Sequence, residues 1–180
     1  MRRHRFIETR WGTCGYVAGP DGLVASYLPE PDRDTIARRI AQDHPGSVEH
    51  RKLLPDLTAA LTAFFKGRPV AFDLRLDLSG HSSFRRRVLE ACRNIPRGRT
   101  ATYADLARDA GSPRATRAAG STMAHNPLPP IIPCHRVIRS DGSVGGFSSP
   151  SGIEQKLRLL ELENADLPTR LTRAGNAIAR

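Results

Sequence analysis

The residues best placed for chemistry sit together in Pro133-Cys134-His135-Arg136-Val137, reached through Leu128-Pro129-Pro130-Ile131-Ile132. Proline fixes its own φ and drives the residue before it toward extended geometry, so three prolines hold the approach to Cys134 stiff. The nucleophilic form of cysteine is the thiolate, which a basic or cationic neighbour favours. Cys134 has an imidazole beside it in His135 and a guanidinium one residue further on in Arg136. A cysteine met at random is usually a small core residue. The rigid approach and the two basic neighbours point instead to an activated nucleophile.

Elements to position this segment are legible on both sides of it. Upstream, Ser82 or Ser83 is placed to cap a helix reaching about Asn94, with Phe84, Val88, Ala91 and Cys92 on its inner side. Arg85-Arg86-Arg87 at its start suit a solvated face and a phosphate contact equally well. Ile95-Pro96-Arg97-Gly98 breaks that helix. Thr102 caps the next, in which Tyr103, Leu106, Ala107 and Ala110 follow helical spacing, and Gly111 closes it. Ser112-Pro113 predicts a further helix, with a capping serine and proline at its first position. Two short helices joined through a glycine make a helix-turn-helix pattern. Ala115, Ala118, Ala119, Gly120 and Ser121 keep the second helix slim, and Arg114 and Arg117 stand three apart on it. A slim helix brings its backbone close to a groove, and arginines reach phosphates or enter a base stack. A tight helix–helix contact also selects small residues, but the charge of this half favours nucleic acid.

Asn126-Pro127 ends that helix in a turn. Beyond Cys134, Ser140-Asp141-Gly142-Ser143 is a second turn, and Val144-Gly145-Gly146-Phe147 is a glycine-rich strand edge or loop. A last helix from about Ile153 is expected to bury Leu157, Leu160 and Leu162 and to end at Glu163. Residues from about Leu167 onward show no pattern and read as a loose basic tail.

The first half looks like scaffold. Residues 12–18 and 23–28 read as strands joined by Gly19-Pro20-Asp21-Gly22, a hairpin turn. Helices are expected from Asp34 to about His44, carrying Ile36 and Ile40, and from Pro55 to about Lys66, carrying Leu57, Leu61, Phe64 and Phe65. Phe72, Leu74, Leu76 and Leu78 alternate with polar residues, the period of a strand with one buried face. Trp11 and Tyr16 read as packing residues.

The formal charge is +10, and it is uneven: residues 1–80 hold 12 basic and 10 acidic side chains, residues 81–180 hold 16 and 8. The second half is therefore the one expected to meet a polyanion. Cys14, Cys92 and Cys134 are few, odd in number and far apart, which fits neither a disulfide framework nor a zinc pattern. A reduced, cytoplasmic setting is expected. The basic residues at the start precede no long apolar run, so neither a signal peptide nor a membrane span is predicted.

Taken together, Thr102-Tyr103, Arg117-Ala118-Ala119-Gly120, Asn126-Pro127, Ile132-Pro133-Cys134-His135-Arg136-Val137 and Gly145-Gly146-Phe147 resemble the O6-alkylguanine-DNA alkyltransferases. The likeness is close over roughly residues 82–165 and holds only in outline over 1–80. It implies an α+β protein: a small N-terminal α/β domain, ribonuclease H-like, over 1–80, then a mainly helical C-terminal domain with a helix-turn-helix over 81–168. The basic tail would occupy 169–180. It also implies single-use DNA repair by a monomer acting on double-stranded DNA with alkylated bases, in which a flipped O6-alkylguanine, or an O4-alkylthymine, loses its alkyl group irreversibly to the protein. Cys134 matches the acceptor, His135 the residue that withdraws its proton through water, and Glu163 the carboxylate that orients His135. Tyr103 matches the proton donor to guanine N3, Arg117 the side chain that fills the gap in the stack, and Asn126 the brace of the active-site turn. Arg114, Ala118, Ser121 and Arg136 are expected beside DNA. Val137, Val144, Phe147 and Ser148 are expected around the base, with the carbonyls of Cys134 and Val144 reading its amino group. No metal and no organic cofactor is implied.

The chemistry is coherent with this. O6 of a paired guanine points into the duplex, so no thiolate reaches it until the base is extruded. Two departures stand out. Phe147 replaces a tyrosine found in many members, and the 148–152 stretch is about two residues longer than usual, both at the expected pocket rim. Somewhat weaker activity or an altered preference, not inactivity, is expected from Phe147, and the longer loop bears on the tolerance for bulky alkyl groups. The rival class is a cysteine hydrolase built on Cys134, His135 and Glu163, which would turn over where an alkyl acceptor stops after one equivalent. A sensor that flips bases without accepting the alkyl group would not need Cys134.

Overall fold

The computed structural model describes residues 1–165, which leaves the expected basic tail and the end of the expected C-terminal domain outside the described residues. The fold is mixed α+β, and the chain divides into two compact units. The first holds Met1–Gly80 together with Pro127–Ile131; the second holds His81–Asn126 and the chain from Ile132 onward.

In the first unit, β1 (Arg3–Thr9), β2 (Gly12–Gly19), β3 (Gly22–Glu30) and β4 (Val48–Glu49) form one sheet in the order β3-β2-β1-β4. The β1–β2 and β2–β3 pairs are antiparallel, and β4 joins β1 in parallel. The hairpin over 19–22 forms as read from the sequence. β1 was not anticipated, because Arg3-His4-Arg5 carries no apolar alternation; seven backbone pairings to β2 hold it instead. Helix α1 (Arg33–Asp43), capped by the Asp32 carboxylate, buries Ile36 and Ile40 against Val17, Ala25 and Tyr27. Each of those isoleucines contributes roughly 1.5–3 kcal/mol by leaving water. Helix α2 (Pro55–Phe65) buries the expected Leu57, Leu61, Phe64 and Phe65.

The alternating segment 72–78 is not a strand. It makes a single bridge, Leu76 to Leu23, with hydrogen bonds from Leu23 N to Arg75 O and from Asp77 N to Leu23 O. β3 is the edge of the sheet, and its outer side is shared: further along, Ser26 N donates to Pro127 O and Ser26 Oγ to Pro129 O. Two short segments therefore cover that edge.

In the second unit, α3 (Ser83–Arg93) begins at Ser82, whose hydroxyl accepts from Arg85 N, and buries Val88, Leu89 and Cys92. A parallel two-residue pair, β5 (Ala101–Thr102) with β6 (Val137–Ile138), sets the entry to α4 (Tyr103–Asp109) beside the chain that follows Cys134. Thr102 and Asp105 form a reciprocal capping box at that entry. Helix α5 starts later than expected, at Thr116, and runs to Ala124. Ser112 to Ala115 is instead a turn closed by Ala115 N to Ser112 O, with Pro113 inside it. Arg114 therefore lies on the turn, not on the helix beside Arg117. The arginine run at the start of α3 has a use that its sequence left open. Arg87 Nε donates to Ala110 O and Arg85 Nη2 to His125 O, so the two cations meet the carbonyl ends of α4 and α5. The last helix, α6 (Gly152–Leu162), buries Gln155, Lys156, Leu159 and Leu160, whereas the expected Leu157 and Leu162 are only half-buried. The buried face is rotated because a lysine, read as polar, occupies its centre. No helix among the described residues is long and apolar enough to cross a membrane.

Candidate active site

Cys134, His135 and Arg136 form one tight 3-10 turn, not the extended strand that would throw neighbouring side chains to opposite sides. Cys134 N donates to Ile132 O at 2.8 Å, and Asn126 Nδ2 donates to the same carbonyl at 2.7 Å. Asn126 thus braces the turn from the end of α5. Burial pushes the Cys134 thiol up, while the Asn126 amide and the charge of Lys156 pull the other way. Cys134 as a whole residue is 7% exposed.

The neighbouring imidazole is fully buried. Burial lowers its pKa more than Glu163 raises it, so His135 is neutral and can take a proton. His135 Nε2 lies 3.1 Å from Glu163 Oε1. Glu163, the residue that ends α6, also accepts from Arg136 Nε at 2.8 Å and Arg136 Nη2 at 2.7 Å. Burial alone would raise the Glu163 carboxyl, but the bonds from His135 and Arg136 outweigh it and hold the group down at about 2. Arg136 was expected beside DNA. It is turned inward instead: its fork is filled by Glu163, and Nη1 donates to Ile95 O. A bidentate carboxylate is the best partner that a guanidinium finds in a buried site.

Lys156 was missed by sequence reasoning, because one lysine in a helix of mixed composition looks like a surface residue. The only available signal was the rotation of the apolar stripe of α6 around it. Its exposure is 0%, and Nζ donates to Val137 O at 2.5 Å and Val144 O at 2.6 Å. It also stands 5.9 Å from the Tyr103 ring centroid. Burial pulls its pKa down to about 8. The two carbonyls expected to read a guanine are therefore partly engaged: Val144 O accepts from Lys156, and Cys134 O accepts the Val137 N–H. Each keeps a second lone pair.

Tyr103 opens α4 and reaches across the site. Burial, then the nearby Cys134, raises its phenol, so it stays protonated and able to donate. It passes tightly over Gly145, which has φ +72°; a Cβ built there would lie 3.2 Å from Tyr103 Oη. Gly145→Ala is thus expected to cost about 1–2 kcal/mol from the left-handed backbone alone and to push the phenol aside. Urea unfolding and the rate of alkyl uptake by Cys134 should both report it, and an unchanged rate would show that Tyr103 is not needed where it stands.

The second unit places Asn126 and Tyr103 beside Cys134, and Glu163 beside His135, through the turn, α4, α5 and α6. Val137 and Val144 are buried next to them, Phe147 is half-buried and Ser148 exposed. Arg114, Arg117, Ala118 and Ser121 are exposed on α5 and the turn before it, and α5 itself touches the site, since a Cβ at Gly120 would lie 3.9 Å from Tyr103 Cδ1. No group of three or more His, Cys, Asp or Glu among the described residues is arranged to hold a metal ion.

Comparison with known proteins meets this geometry. The family model described as 6-O-methylguanine DNA methyltransferase, DNA binding domain, matches residues 83–165. A methylated-DNA–protein-cysteine methyltransferase of Methanothermobacter thermautotrophicus is 42% identical over 155 residues, covering 85% of this chain and 80% of that protein. The crystal structure of Mycobacterium tuberculosis O6-methylguanine methyltransferase matches with a TM-score of 0.74 at 31% identity, over 96% of this chain and 98% of that one. The structure of Mycobacterium tuberculosis OGT in complex with DNA matches with a TM-score of 0.74 at 32% identity, over 94% and 98%. Likeness at that identity runs through both units and includes the turn that presents the cysteine, so the chain belongs to the methylated-DNA–protein-cysteine methyltransferase family.

Proposed function

We propose that this chain repairs alkylated DNA directly, moving the alkyl group of O6-alkylguanine, or of O4-alkylthymine, onto its own Cys134. The observation that carries the proposal is a buried thiol on a braced turn, next to a neutral imidazole that a carboxylate holds in place. Cys134 loses its proton to His135, directly or through water, and the sulfur attacks the alkyl carbon. The S–C bond forms as the C–O6 bond breaks, and the electron pair passes to the guanine ring. Tyr103 supplies a proton to N3, and the proton held by His135 restores the phenol, so that the thiol proton ends on guanine. A thioether has no leaving group here, hence one equivalent per molecule. The atoms and charges balance without a metal or an organic cofactor.

The finer reading is architectural. The first unit is read as ribonuclease H-like scaffold, and α4 with α5 as a helix-turn-helix whose exposed Arg117, Ala118 and Ser121 enter a groove of double-stranded DNA. Arg114, on the preceding turn, reaches a phosphate, and Arg117 occupies the gap left by the extruded base, offsetting a few kcal/mol of unstacking. Val137, Val144, Phe147 and Ser148 surround the base. The protein acts as a monomer in the cytoplasm. Intact-mass measurement after incubation with excess O6-methylguanine duplex tests the proposal. One added methyl group, mapped to the peptide containing Cys134, is expected; release of product beyond one equivalent would turn the reading to a hydrolase.

A further inference from the structure

Arg139 is a cation beside the site that this mechanism leaves unused. It follows β6 at the mouth of the site, and it is exposed. Its backbone is fixed, because Arg139 N donates to Ser143 O at 2.9 Å and Gly142 N donates to Arg139 O at 3.0 Å. Its stem lies against Gly145 on the same side as the Tyr103 phenol: a Cβ at Gly145 would be 3.5 Å from Arg139 Cγ and 3.2 Å from Tyr103 Oη. Its charge is felt at Tyr103, at Lys156 and at Asp141 two residues on. Asp141 is committed elsewhere, accepting from Ser143 N at 2.8 Å. Among the described residues no carboxylate comes within ion-pair distance of Arg139.

An exposed guanidinium on a fixed backbone, beside the group that meets the base, suits one kind of ligand. A nucleotide whose base sits beneath Tyr103 carries its own phosphates out over the rim, and a guanidinium fork matches phosphate oxygens. We propose that Arg139 grips the phosphodiester of the extruded nucleotide, a contact separate from those of Arg114 and Arg117 on the α4–α5 side. The inference rests on the reading of Cys134 as alkyl acceptor. It makes Arg139 a specificity residue: it favours a lesion within a strand over the same base free in solution.

The test compares two substrates in single-turnover alkylation of Cys134, O6-methylguanine duplex and free O6-benzylguanine base. Arg139→Ala is expected to slow the duplex reaction about tenfold and the free-base reaction less than twofold. The slope of log binding constant against log salt should become shallower by about 0.9, as for one lost phosphate contact on duplex DNA. Arg139→Lys, keeping the charge without the fork, should recover most of the duplex rate. Equal slowing of both substrates would assign Arg139 to the Tyr103 phenol and overturn the inference, as would an unchanged duplex rate. Failure of the underlying function would look different, because the unsubstituted protein would then take no alkyl group from either substrate.

Discussion

Glu163→Ala is expected to destabilise the second unit by about 3–5 kcal/mol, the usual cost of removing one partner from a buried ion pair. The carboxylate has no exposed side-chain surface, receives two N–H groups from Arg136, and lies 3.1 Å from His135 Nε2. Without it, the Arg136 guanidinium keeps only Ile95 O, and its side chain is 12% exposed, too little for water to compensate. Against a total stability of about 5–15 kcal/mol, that is a large fraction. The pH dependence carries a sign that checks the cause. Glu163 titrates at about 2 in the fold against 4.5 ordinarily, so the unfolded chain binds the proton first as pH falls. Its contribution, about 3 kcal/mol, is present above 4.5 and is lost between 4.5 and about 2. His135 is lowered too and adds a loss of the same sign as pH falls through the ordinary histidine range. Urea unfolding at pH 7 and pH 3 should therefore show the gap between wild type and variant narrowing in acid. A gap below about 1 kcal/mol at pH 7 would mean that the network is not holding the turn.

How far the sequence led depends on the kind of signal. The hairpin, α1, α2 and the Thr102 cap of α4 were legible because turn residues, apolar spacing and a capping threonine are local causes with local effects, whereas the reciprocal bond from Asp105 was not read. The segment 72–78 had the right period and still failed as a strand, since pairing depends on what else reaches the edge of β3, and Pro127 and Pro129 take part of it. β1 failed in the opposite direction, being built by pairing and not by its own pattern. In the site, the sequence points to Cys134, His135, Asn126, Tyr103 and Glu163, and the structure sets Asn126 and Tyr103 beside Cys134 and Glu163 beside His135. Arg136 and Lys156 could not be read correctly, because whether a cation faces solvent or the interior is a tertiary fact. Both turned inward, one onto a carboxylate and one onto two carbonyls. Arg85 and Arg87 show the same limit at the helix ends.

Lys156→Met is expected to separate stability from reactivity. Keeping a charged amine at 0% exposure is costly: the group titrates at about 8 in the fold against 10.5 ordinarily. The folded value is the lower one, so the unfolded chain binds more protons between 8 and 10.5, and stability rises with pH across that window. Below about 8 the penalty is complete, about 3 kcal/mol. Methionine removes it while keeping the length of the side chain. The offsetting loss is two buried carbonyls, Val137 O and Val144 O, each left without its donor at about 1–3 kcal/mol. The two effects nearly cancel, so at pH 7 the variant should melt close to the wild type, and from pH 8 to 10 the wild type should gain on it. Reactivity has no such cancellation. Burial raises the Cys134 thiol, and after the Asn126 amide the Lys156 ammonium is the charge that pulls it back toward the reactive thiolate. Alkyl uptake by Cys134 at pH 7 should fall by about tenfold or more, with Lys156→Arg recovering less than its charge suggests because the longer fork does not fit between two carbonyls. A methionine variant that melts normally and reacts within twofold of wild type would reduce Lys156 to a packing residue. A variant that melts normally and loses about tenfold in rate would show that the costly buried charge serves the thiolate and not the fold.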